Sequence, residues 1–314
     1  MSDGPNVGTS IRGACLCSAV AFAAAPPYRW FAHCHCSMCR KHYGSLFGTS
    51  LGVTSAAFRW LEGTNEIVHY RATPAFERPF CRHCGSPVPG ASDEEGFLNV
   101  PAGLLDATLG ARPRSHIFVA SRSPLTALDD TLPRHDAYAP GTELPTIPDR
   151  PPLKDATISG SCLCGAVAFA AMEMPRRVVN CHCTLCRRSR GAAFSSTLLV
   201  ARDAFRWDRG EARARSYALP ATARDGGSAA NAGAICGPRK YETVFCADCG
   251  SPVPSMPAGA STVTLPAGSI DTPLPSLPAV HLYVGSKAPW YDIVDAWPQF
   301  EELPPPEQLT EVFR

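Results

Sequence analysis

Cysteines form the same pattern twice along this chain, and this pattern constrains the fold more than any other feature. The chain has 314 residues and 15 cysteines. In each copy, a Cys-x-Cys pair precedes a Cys-x-Cys-x-x-Cys triplet and a Cys-x-x-Cys pair. The copies use Cys15, Cys17, Cys34, Cys36, Cys39, Cys81 and Cys84, then Cys162, Cys164, Cys181, Cys183, Cys186, Cys246 and Cys249. Four thiolates close a tetrahedral zinc shell, whereas three leave one position open. We therefore predict one structural and one reactive zinc per copy, four per chain.

An internal duplication explains the repeated pattern. A shift of 147 residues aligns 13–22 with 160–169 and 34–40 with 181–187. From the last cysteine pair onward the shift becomes 165 residues, so the second copy carries 18 extra residues. Each copy is far longer than the unit of a solenoid repeat, and each is long enough to form a domain.

The repeat defines the expected domain boundaries. We predict a first zinc domain at 10–139, a Pro-rich linker at 140–156 and a second zinc domain at 157–303. The extra residues lie near 219–240, in a Gly/Ala/Ser-rich stretch that we expect to be a mobile loop. Cys236 falls alone in this insertion, and we expect it to be an ordinary loop thiol.

Composition excludes several classes of protein. The net charge is +1 and charges of both signs are mixed along the chain, so neither nucleic acid nor an anionic membrane is an expected partner. No apolar run reaches the roughly 18–20 residues of a membrane span. The N-terminus has neither the basic nor the apolar region of a secretory signal, so we expect a cytoplasmic protein. In a reducing compartment, clustered cysteines more often bind metal than form disulfides.

The secondary structure is predicted to be mainly β. Short segments rich in β-branched or aromatic residues are bounded by Gly or Pro, as in strands of small sheets. These segments are 19–23, 46–53, 66–70, 116–119, 193–200 and 281–284. Helical turns are expected only after Cys39 and Cys186. The 31 prolines and 25 glycines also disfavour a helical bundle.

The outer cysteine pairs are candidates for closed zinc sites. In Cys81-x-x-Cys84 and Cys246-x-x-Cys249, the two-residue gap lets both sulfurs face one ion, and the following Gly tolerates a left-handed turn. The Cys-x-Cys pairs of each copy can supply the other two ligands. The alternative is that all these cysteines are unpaired core residues.

The triplets are candidates for open zinc sites. A zinc ion with three thiolates has a formal charge of −1, which suits activation of a thiol better than hydrolysis, because a zinc-bound thiol is deprotonated at neutral pH. The cations that follow are Arg40, Lys41, Arg187, Arg188 and Arg190. They could bind the carboxylates of an anionic thiol such as glutathione, or they could be solvated surface charges.

Four histidines accompany these motifs. His35 and His182 lie between ligand cysteines, where a third side chain cannot easily face the same ion, so we expect support of the ligands or core packing. His116 and His281 align in the repeat, and each either packs on a strand or contributes to a substrate pocket.

These motifs together resemble the glutathione-dependent formaldehyde-activating enzyme family, whose domain centromere protein V shares. The second copy carries the full set at 160–169, 181–187, 245–251 and 281–290. The resemblance implies two tandem β-tent domains, similar to the Mss4-like group, with structural zinc on the outer pairs. It also implies catalytic zinc on the triplets, Cys34, Cys36, Cys39, Cys181, Cys183 and Cys186. The implied reaction joins formaldehyde to glutathione, as a carbon–sulfur lyase.

The first copy departs from the family pattern at three positions. Ser18 replaces the glycine that the second copy has at 165, and Arg122 and Leu125 stand where the second copy has Lys287 and Trp290. The residues expected to bind the thiol are Arg40, Arg187, His281, Lys287 and Trp290. If the last two form part of this pocket, the first copy binds a thiol weakly or differently.

Two functions of different classes follow. The leading hypothesis is a zinc-dependent enzyme that adds a small, glutathione-like thiol to an aldehyde such as formaldehyde. The alternative is a non-catalytic zinc module for partner interaction. Nucleic-acid binding is disfavoured by the near-zero net charge, and metal storage by the ordered ligand spacing.

Overall fold

Two similar halves, each made of short strands, form this molecule. The computed structural model describes residues 10–91, 96–105, 109–140, 148–219 and 241–308. Nearly all of the predicted insertion, including Cys236, and part of the predicted linker lie outside the described residues.

Ten strands and one helix form the first half. The strands are β1 (Ile11–Ala14), β2 (Ala21–Ala24), β3 (Tyr28–Cys34), β4 (Gly48–Thr54), β5 (Phe58–Glu62), β6 (Ile67–Val68), β7 (Phe80–Cys81), β8 (Gly90–Ala91), β9 (Phe97–Pro101) and β10 (Ser115–Ile117). Helix α1 (Ser37–Tyr43) lies between β3 and β4.

The second half repeats this order. Its strands are β11 (Ile158–Ser161), β12 (Ala168–Ala171), β13 (Val178–Cys181), β14 (Ser195–Ala201), β15 (Phe205–Arg209), β16 (Ala214–Ala218), β17 (Glu242–Cys246), β18 (Thr262–Pro266), β19 (Ala279–Leu282) and β20 (Gln299–Phe300). Helix α2 (Thr184–Arg190) lies between β13 and β14.

Each half combines a three-stranded, a five-stranded and a two-stranded sheet. The strand orders are β1-β2-β5, β10-β3-β4-β9-β8 and β6-β7 in the first half, and β11-β12-β15, β18-β14-β13-β19-β20 and β16-β17 in the second. In each five-stranded sheet the central pair is antiparallel, and the strand that carries His116 or His281 joins in parallel. The predicted mainly β fold is confirmed.

Two local details differ from the prediction. The strands expected at 116–119 and 281–284 end earlier, because Phe118 and Tyr283 both adopt left-handed backbone with φ of 60°, which interrupts a strand. The helices begin before the third cysteine of each triplet rather than after it. Cys36 and Cys183 are their N-caps, and each sulfur accepts a hydrogen bond from the amide three residues later.

The two halves share one hydrophobic core. Phe31 of the first half packs against Trp290 of the second at 5.7 Å between ring centroids, and Phe47 packs against Phe194 at 5.4 Å. These side chains and their aliphatic neighbours from both halves form a single buried cluster. Burial of this shared apolar surface fixes the halves relative to each other.

Glycines allow the backbones of the halves to approach closely. A Cβ on Gly103 would lie 2.3 Å from the Ala192 backbone, and one on Gly268 would lie 2.2 Å from the Arg40 carbonyl oxygen. The Gly103 amide also donates to the Gly191 carbonyl at 3.0 Å. Each helix therefore packs against the turn that follows a strand of the opposite half.

No helix in the described part of the chain is long and apolar enough to cross a membrane.

Candidate metal centres

The outer cysteine pairs converge into two four-sulfur clusters. The sulfurs of Cys15, Cys17, Cys81 and Cys84 all lie within 4.8 Å of one another, as do those of Cys162, Cys164, Cys246 and Cys249. The knuckle glycines, Gly85 and Gly250, adopt φ of 73° and 71°, which is the left-handed turn expected after each Cys-x-x-Cys. The pairing inferred from the sequence thus brings these eight side chains together.

Serine side chains support the closed clusters in both halves. The Ser86 hydroxyl lies 3.2 Å from the Cys84 sulfur and accepts a hydrogen bond from the Leu16 amide at 3.0 Å. Ser251 makes the same two contacts with Cys249 and the Leu163 amide. Each serine thus connects the knuckle to the loop that carries the Cys-x-Cys pair.

The triplets form two clusters of three sulfurs. Those of Cys34, Cys36 and Cys39 lie within 4.8 Å of one another, as do those of Cys181, Cys183 and Cys186. In each case the first cysteine ends a strand, the second caps the helix and the third lies in the first turn of the helix. Among the described residues, neither group includes a fourth cysteine, histidine or carboxylate.

The sulfur geometry fits zinc. Adjacent sulfurs in the closed clusters are 3.4–3.8 Å apart, and Cys34 and Cys36 are 3.5 Å apart. A tetrahedron with Zn–S bonds of about 2.3 Å has sulfurs about 3.8 Å apart. A disulfide requires about 2.05 Å, and none of the 14 cysteines that the structure describes forms one. All four clusters could therefore hold a zinc ion.

Each open cluster adjoins the closed cluster of the other half. Met38, next to the first triplet, packs with Phe76 against Cys162, Cys246 and Cys249. In the reciprocal contact, Val179 and Leu185 of the second half pack with Cys15, Cys81 and Cys84. The two kinds of site are thus paired across the interface rather than within one half.

Arg78 and Tyr43 flank the first open cluster. An Arg78 guanidinium nitrogen lies 3.9 Å from the Cys39 sulfur, and its carbon lies 5.3 Å from the centroid of the Phe76 ring. Contacts with Cys34 and Cys36, together with the charge of Arg78, hold the pKa of Cys39 well below its usual range. Tyr43 is 3% exposed and packs in the same small cluster as Cys39.

Tyr241 and Arg190 flank the second open cluster. The Tyr241 hydroxyl lies 3.9 Å from the Cys186 sulfur and 2.7 Å from the Ser189 hydroxyl. Arg190 is 9% exposed and follows Cys186 by one helical turn. Burial lowers the pKa of this guanidinium, while Tyr241 and Cys186 act in the opposite direction.

A carboxylate and two histidines form a buried relay behind each triplet. His116 bonds to Asp130 at 2.8 Å and to His35 at 2.9 Å. Burial is the main cause that lowers the pKa of His35 to about 3, so its ring is neutral at pH 7. Because a carboxylate only accepts, a neutral His116 donates to Asp130 and accepts from His35.

The second half has the same relay. His281 bonds to His182 at 2.9 Å and to Asp295 at 3.1 Å. Both His35 and His182 are fully buried, and in the described part of the chain the Nδ1 atom of each has no hydrogen-bond partner. These bonds fix the ring between the first two cysteines of each triplet. Whether that histidine supports the ligands or only packs in the core stays a prediction.

Three of the five residues expected to bind a thiol lie around His182: His281 bonds to it at 2.9 Å, and after burial the charges of His281, Lys287 and Arg187 lower its pKa. His281 is part of the relay, and Trp290 is 3% exposed and packs in the shared core. Lys287 donates to the Tyr291 carbonyl, and Arg187 to the Thr184 hydroxyl at 3.3 Å. Their role in thiol binding stays a prediction.

Arg40 follows the third cysteine of the first triplet directly and contacts other protein groups. Its Nε donates to the His35 carbonyl at 3.1 Å, and another guanidinium nitrogen lies 3.5 Å from Asp149. With Lys41 and Arg150, it lines a cleft of about 230 Å³ between the halves. The predicted contact between Arg40 and a thiol therefore stays untested.

Some site residues outside the cysteine motifs could have been identified from the sequence. Asp130 and Asp295 are separated by the same 165-residue shift as His116 and His281, which could have identified both relays. Tyr43 and Arg190 also occupy equivalent positions of the two copies, but the residues differ, so the alignment of the copies gives no signal there.

Comparison with known proteins identifies one family. A family model described as the glutathione-dependent formaldehyde-activating enzyme matches residues 10–121 and 157–286. The search of curated proteins gave no match. A solved Rhodobacter sphaeroides protein is similar at 22% identity, over 33% of this chain and 92% of that chain, with a TM-score of 0.26.

Proposed function

Since the chain belongs to the glutathione-dependent formaldehyde-activating enzyme family, a family of β-tent zinc-binding proteins, we propose that it is a carbon–sulfur lyase that adds a small thiol to an aldehyde. Glutathione and formaldehyde are the family's substrates and the first to be tested. The observation that carries the proposal is the pair of three-sulfur clusters, whose described surroundings supply no fourth ligand.

Different cysteines would hold the two kinds of zinc. The four-cysteine clusters would hold structural ions, and the triplets Cys34, Cys36, Cys39 and Cys181, Cys183, Cys186 would each hold one ion for the reaction. At an open site, zinc supplies a lowered thiol pKa and so a thiolate near neutral pH.

The protein's own residues would position and shield the reacting groups. Burial keeps His35 and His182 neutral, and the relays would fix their rings between the first two cysteines of each triplet. As the sulfur attacks the aldehyde carbon, a C–S bond forms and the C=O π bond breaks. The proton that leaves the thiol ends on the former aldehyde oxygen, so the reaction needs no further reactant.

Exchange NMR tests the reaction. Zinc-replete protein should accelerate interconversion of free formaldehyde and S-(hydroxymethyl)glutathione above the uncatalysed rate. The same experiment with cysteine and with 2-mercaptoethanol would reveal a preference for another thiol. Absence of acceleration with every thiol would refute the enzyme hypothesis and favour the non-catalytic zinc module.

Calorimetric titration of glutathione locates the working site. Cys36→Ser and Cys183→Ser each remove one ligand from one triplet, and zinc content should fall by one ion per chain in each. We expect saturable glutathione binding in the parent and its loss at one site in each variant. Ser255→Ala, away from every cluster, is the control. Because reduced thiols are needed, we also propose a cytoplasmic location.

A further inference from the structure

Each open cluster is flanked by one arginine and one tyrosine, but the elements that supply them are exchanged. In the first half, the tyrosine (Tyr43) is on the helix and the arginine (Arg78) is in the segment before the Cys-x-x-Cys knuckle. In the second half, the arginine (Arg190) is on the helix and the tyrosine (Tyr241) precedes the knuckle. Both halves therefore present one guanidinium and one phenol.

The helical member occupies the same place in both halves. Tyr43 and Arg190 follow the third cysteine of their triplets by four residues, so each lies on the same helix face as that cysteine. Both are at least nine-tenths buried. The member from the segment before the knuckle reaches the sulfur of that cysteine in both halves, at 3.9 Å from Arg78 and 3.9 Å from Tyr241.

Packing alone does not account for this exchange. Replacing Tyr43 by arginine, or Arg190 by tyrosine, changes the buried charge, and buried guanidinium groups are costly unless they meet an anion. Within the described residues, the Nε and Nη1 atoms of Arg190 and the Nε atom of Arg78 have no hydrogen-bond partner. In the segment before the knuckle, Arg78 aligns with Thr243 and Tyr241 with Phe76, so the two halves supply these groups from different positions. Both halves nevertheless place one guanidinium and one phenol beside the third cysteine, which favours a requirement of chemistry over one of shape.

The nearby charge indicates what these groups would bind. A triplet with zinc carries a formal charge of −1, and an incoming thiolate makes it more negative. A guanidinium and a phenol hydroxyl are the donors best suited to such an anion, because hydrogen bonds to ionised groups are the stronger ones. In the addition reaction, negative charge also develops on the aldehyde oxygen as the C–S bond forms.

We propose that Arg78 with Tyr43, and Arg190 with Tyr241, form two equivalent anion-binding pairs that hold the thiolate and the developing oxyanion at the open clusters. The inference rests on the proposed function for the identity of the anion. Both halves are then competent, although the first half lacks the family's Lys and Trp at 122 and 125.

Azide binding tests the anion site without the reaction. Azide is a small anion whose binding to cobalt-substituted open sites is followed by the change in visible absorption. We expect two equivalents to bind to the parent. Arg190→Gln and Tyr241→Phe should each weaken one equivalent by about tenfold or more, the effect of losing one charge-assisted hydrogen bond. Arg59→Gln, on exposed β5, is the matched control.

The exchange itself provides the decisive variant. Arg190→Tyr combined with Tyr241→Phe and Thr243→Arg gives the second half the arrangement of the first, because Tyr241 aligns with Phe76 and Thr243 with Arg78. Azide affinity should then return to within about threefold of the parent, since a charge-assisted bond is restored. A parent that binds no azide, or unchanged affinity in Arg190→Gln and Tyr241→Phe, would overturn the inference. Arg78→Gln repeats the test if a variant of α2 fails to fold.

The tests can refute the proposed reaction and the anion-binding inference independently of each other. If the parent does not accelerate thiol addition but the azide results hold, the anion pairs stand and the enzyme hypothesis falls. If addition is accelerated but azide affinity is unchanged in the variants, the enzyme hypothesis stands and the anion pairs fall.

Discussion

At the residue scale, a buried ion pair connects the halves. Lys41 Nζ lies 2.6 Å from Asp271 Oδ1, and the two side chains are 5% and 7% exposed. The same nitrogen donates to the Ser161 carbonyl at 2.7 Å. Each charge depends on its partner, because both side chains are largely removed from water.

Breaking this pair on one side should be strongly destabilising. Lys41→Met leaves Asp271 buried without a counter-charge and should lower the free energy of unfolding by about 3–5 kcal/mol. The double variant Lys41→Met with Asp271→Leu should lower the free energy of unfolding clearly less than Lys41→Met alone. Arg112→Met removes an exposed pair between the halves and should cost about 0–1 kcal/mol. Urea unfolding measures all three, and an equal loss in the single and double variants would contradict the expectation.

His42 should make stability depend on pH. Burial, and then the charge of Arg78, lower the pKa of His42 to about 3, whereas Cys249 opposes them. The unfolded chain takes up this proton below about pH 6.5, but the folded chain does not. The contribution of His42 to the free energy of unfolding is therefore present above pH 6.5. It is lost as the pH falls from 6.5 toward 3, by at most about 1.4 kcal/mol per pH unit.

His42→Gln should flatten this dependence. Urea unfolding at pH 7, 6 and 5 with excess zinc should show a shallower loss in the variant than in the parent. His69→Gln, at a side chain that is 61% exposed, is the control and should keep the parent slope. Parallel curves for the parent and His42→Gln would show that His42 is protonated in the folded state.

At the element scale, a glycine ends each helix where the helix contacts the other half. Gly44 and Gly191 are their C-caps, with φ of 59° and 61°. A Cβ on Gly44 would lie 2.5 Å from the ring of Pro252 in the other half. The position therefore requires glycine both for its backbone and for the contact between the halves.

A matched pair of alanine variants separates these two requirements. Gly110 has a φ of 61°, but no described residue lies within 4 Å of its would-be Cβ. Gly110→Ala should cost about 1 kcal/mol from backbone strain alone, and Gly44→Ala about 1–3 kcal/mol more because the contact is overpacked. Equal losses in thermal unfolding would show that Pro252 moves without cost.

The sequence predicted six of the twenty described strands and all the cysteine clusters, for physical reasons that did not extend further. Gly and Pro bound the strands, and zinc permits few cysteine spacings. The strand ends were missed because the left-handed Phe118 and Tyr283 are not residues that favour this conformation. Arg78 and Tyr241 were missed because the path of a loop, not a spacing, brings them to the cysteines.

At the scale of the whole molecule, the halves complete each other. The domains proposed at 10–139 and 157–303 share one core, and each open cluster packs beside the closed cluster of the opposite half. No comparison of the two copies by sequence could reveal this arrangement, since the family model matches each half separately, at 10–121 and 157–286.

A single half should therefore be unable to stay folded and monomeric. Residues 150–314 produced alone would expose apolar side chains such as Phe194 and Trp290, which are 2% and 3% exposed in the full chain. We expect self-association in light scattering and binding of a hydrophobic dye. Co-production with residues 1–149 should suppress both, and a monomeric half with a cooperative thermal transition would contradict the prediction.

The reciprocal packing also limits how the two copies can diverge. After a duplication, one copy is usually free to lose its role while the other keeps it. Here the closed cluster of each half packs beside the open cluster of the other. We therefore expect damage to a closed cluster to disturb both halves, so that neither copy is free to lose its role. The changes that remain possible are those that compensate each other. The arginine and the tyrosine beside each open cluster are an example, because the two halves supply the same groups from different positions.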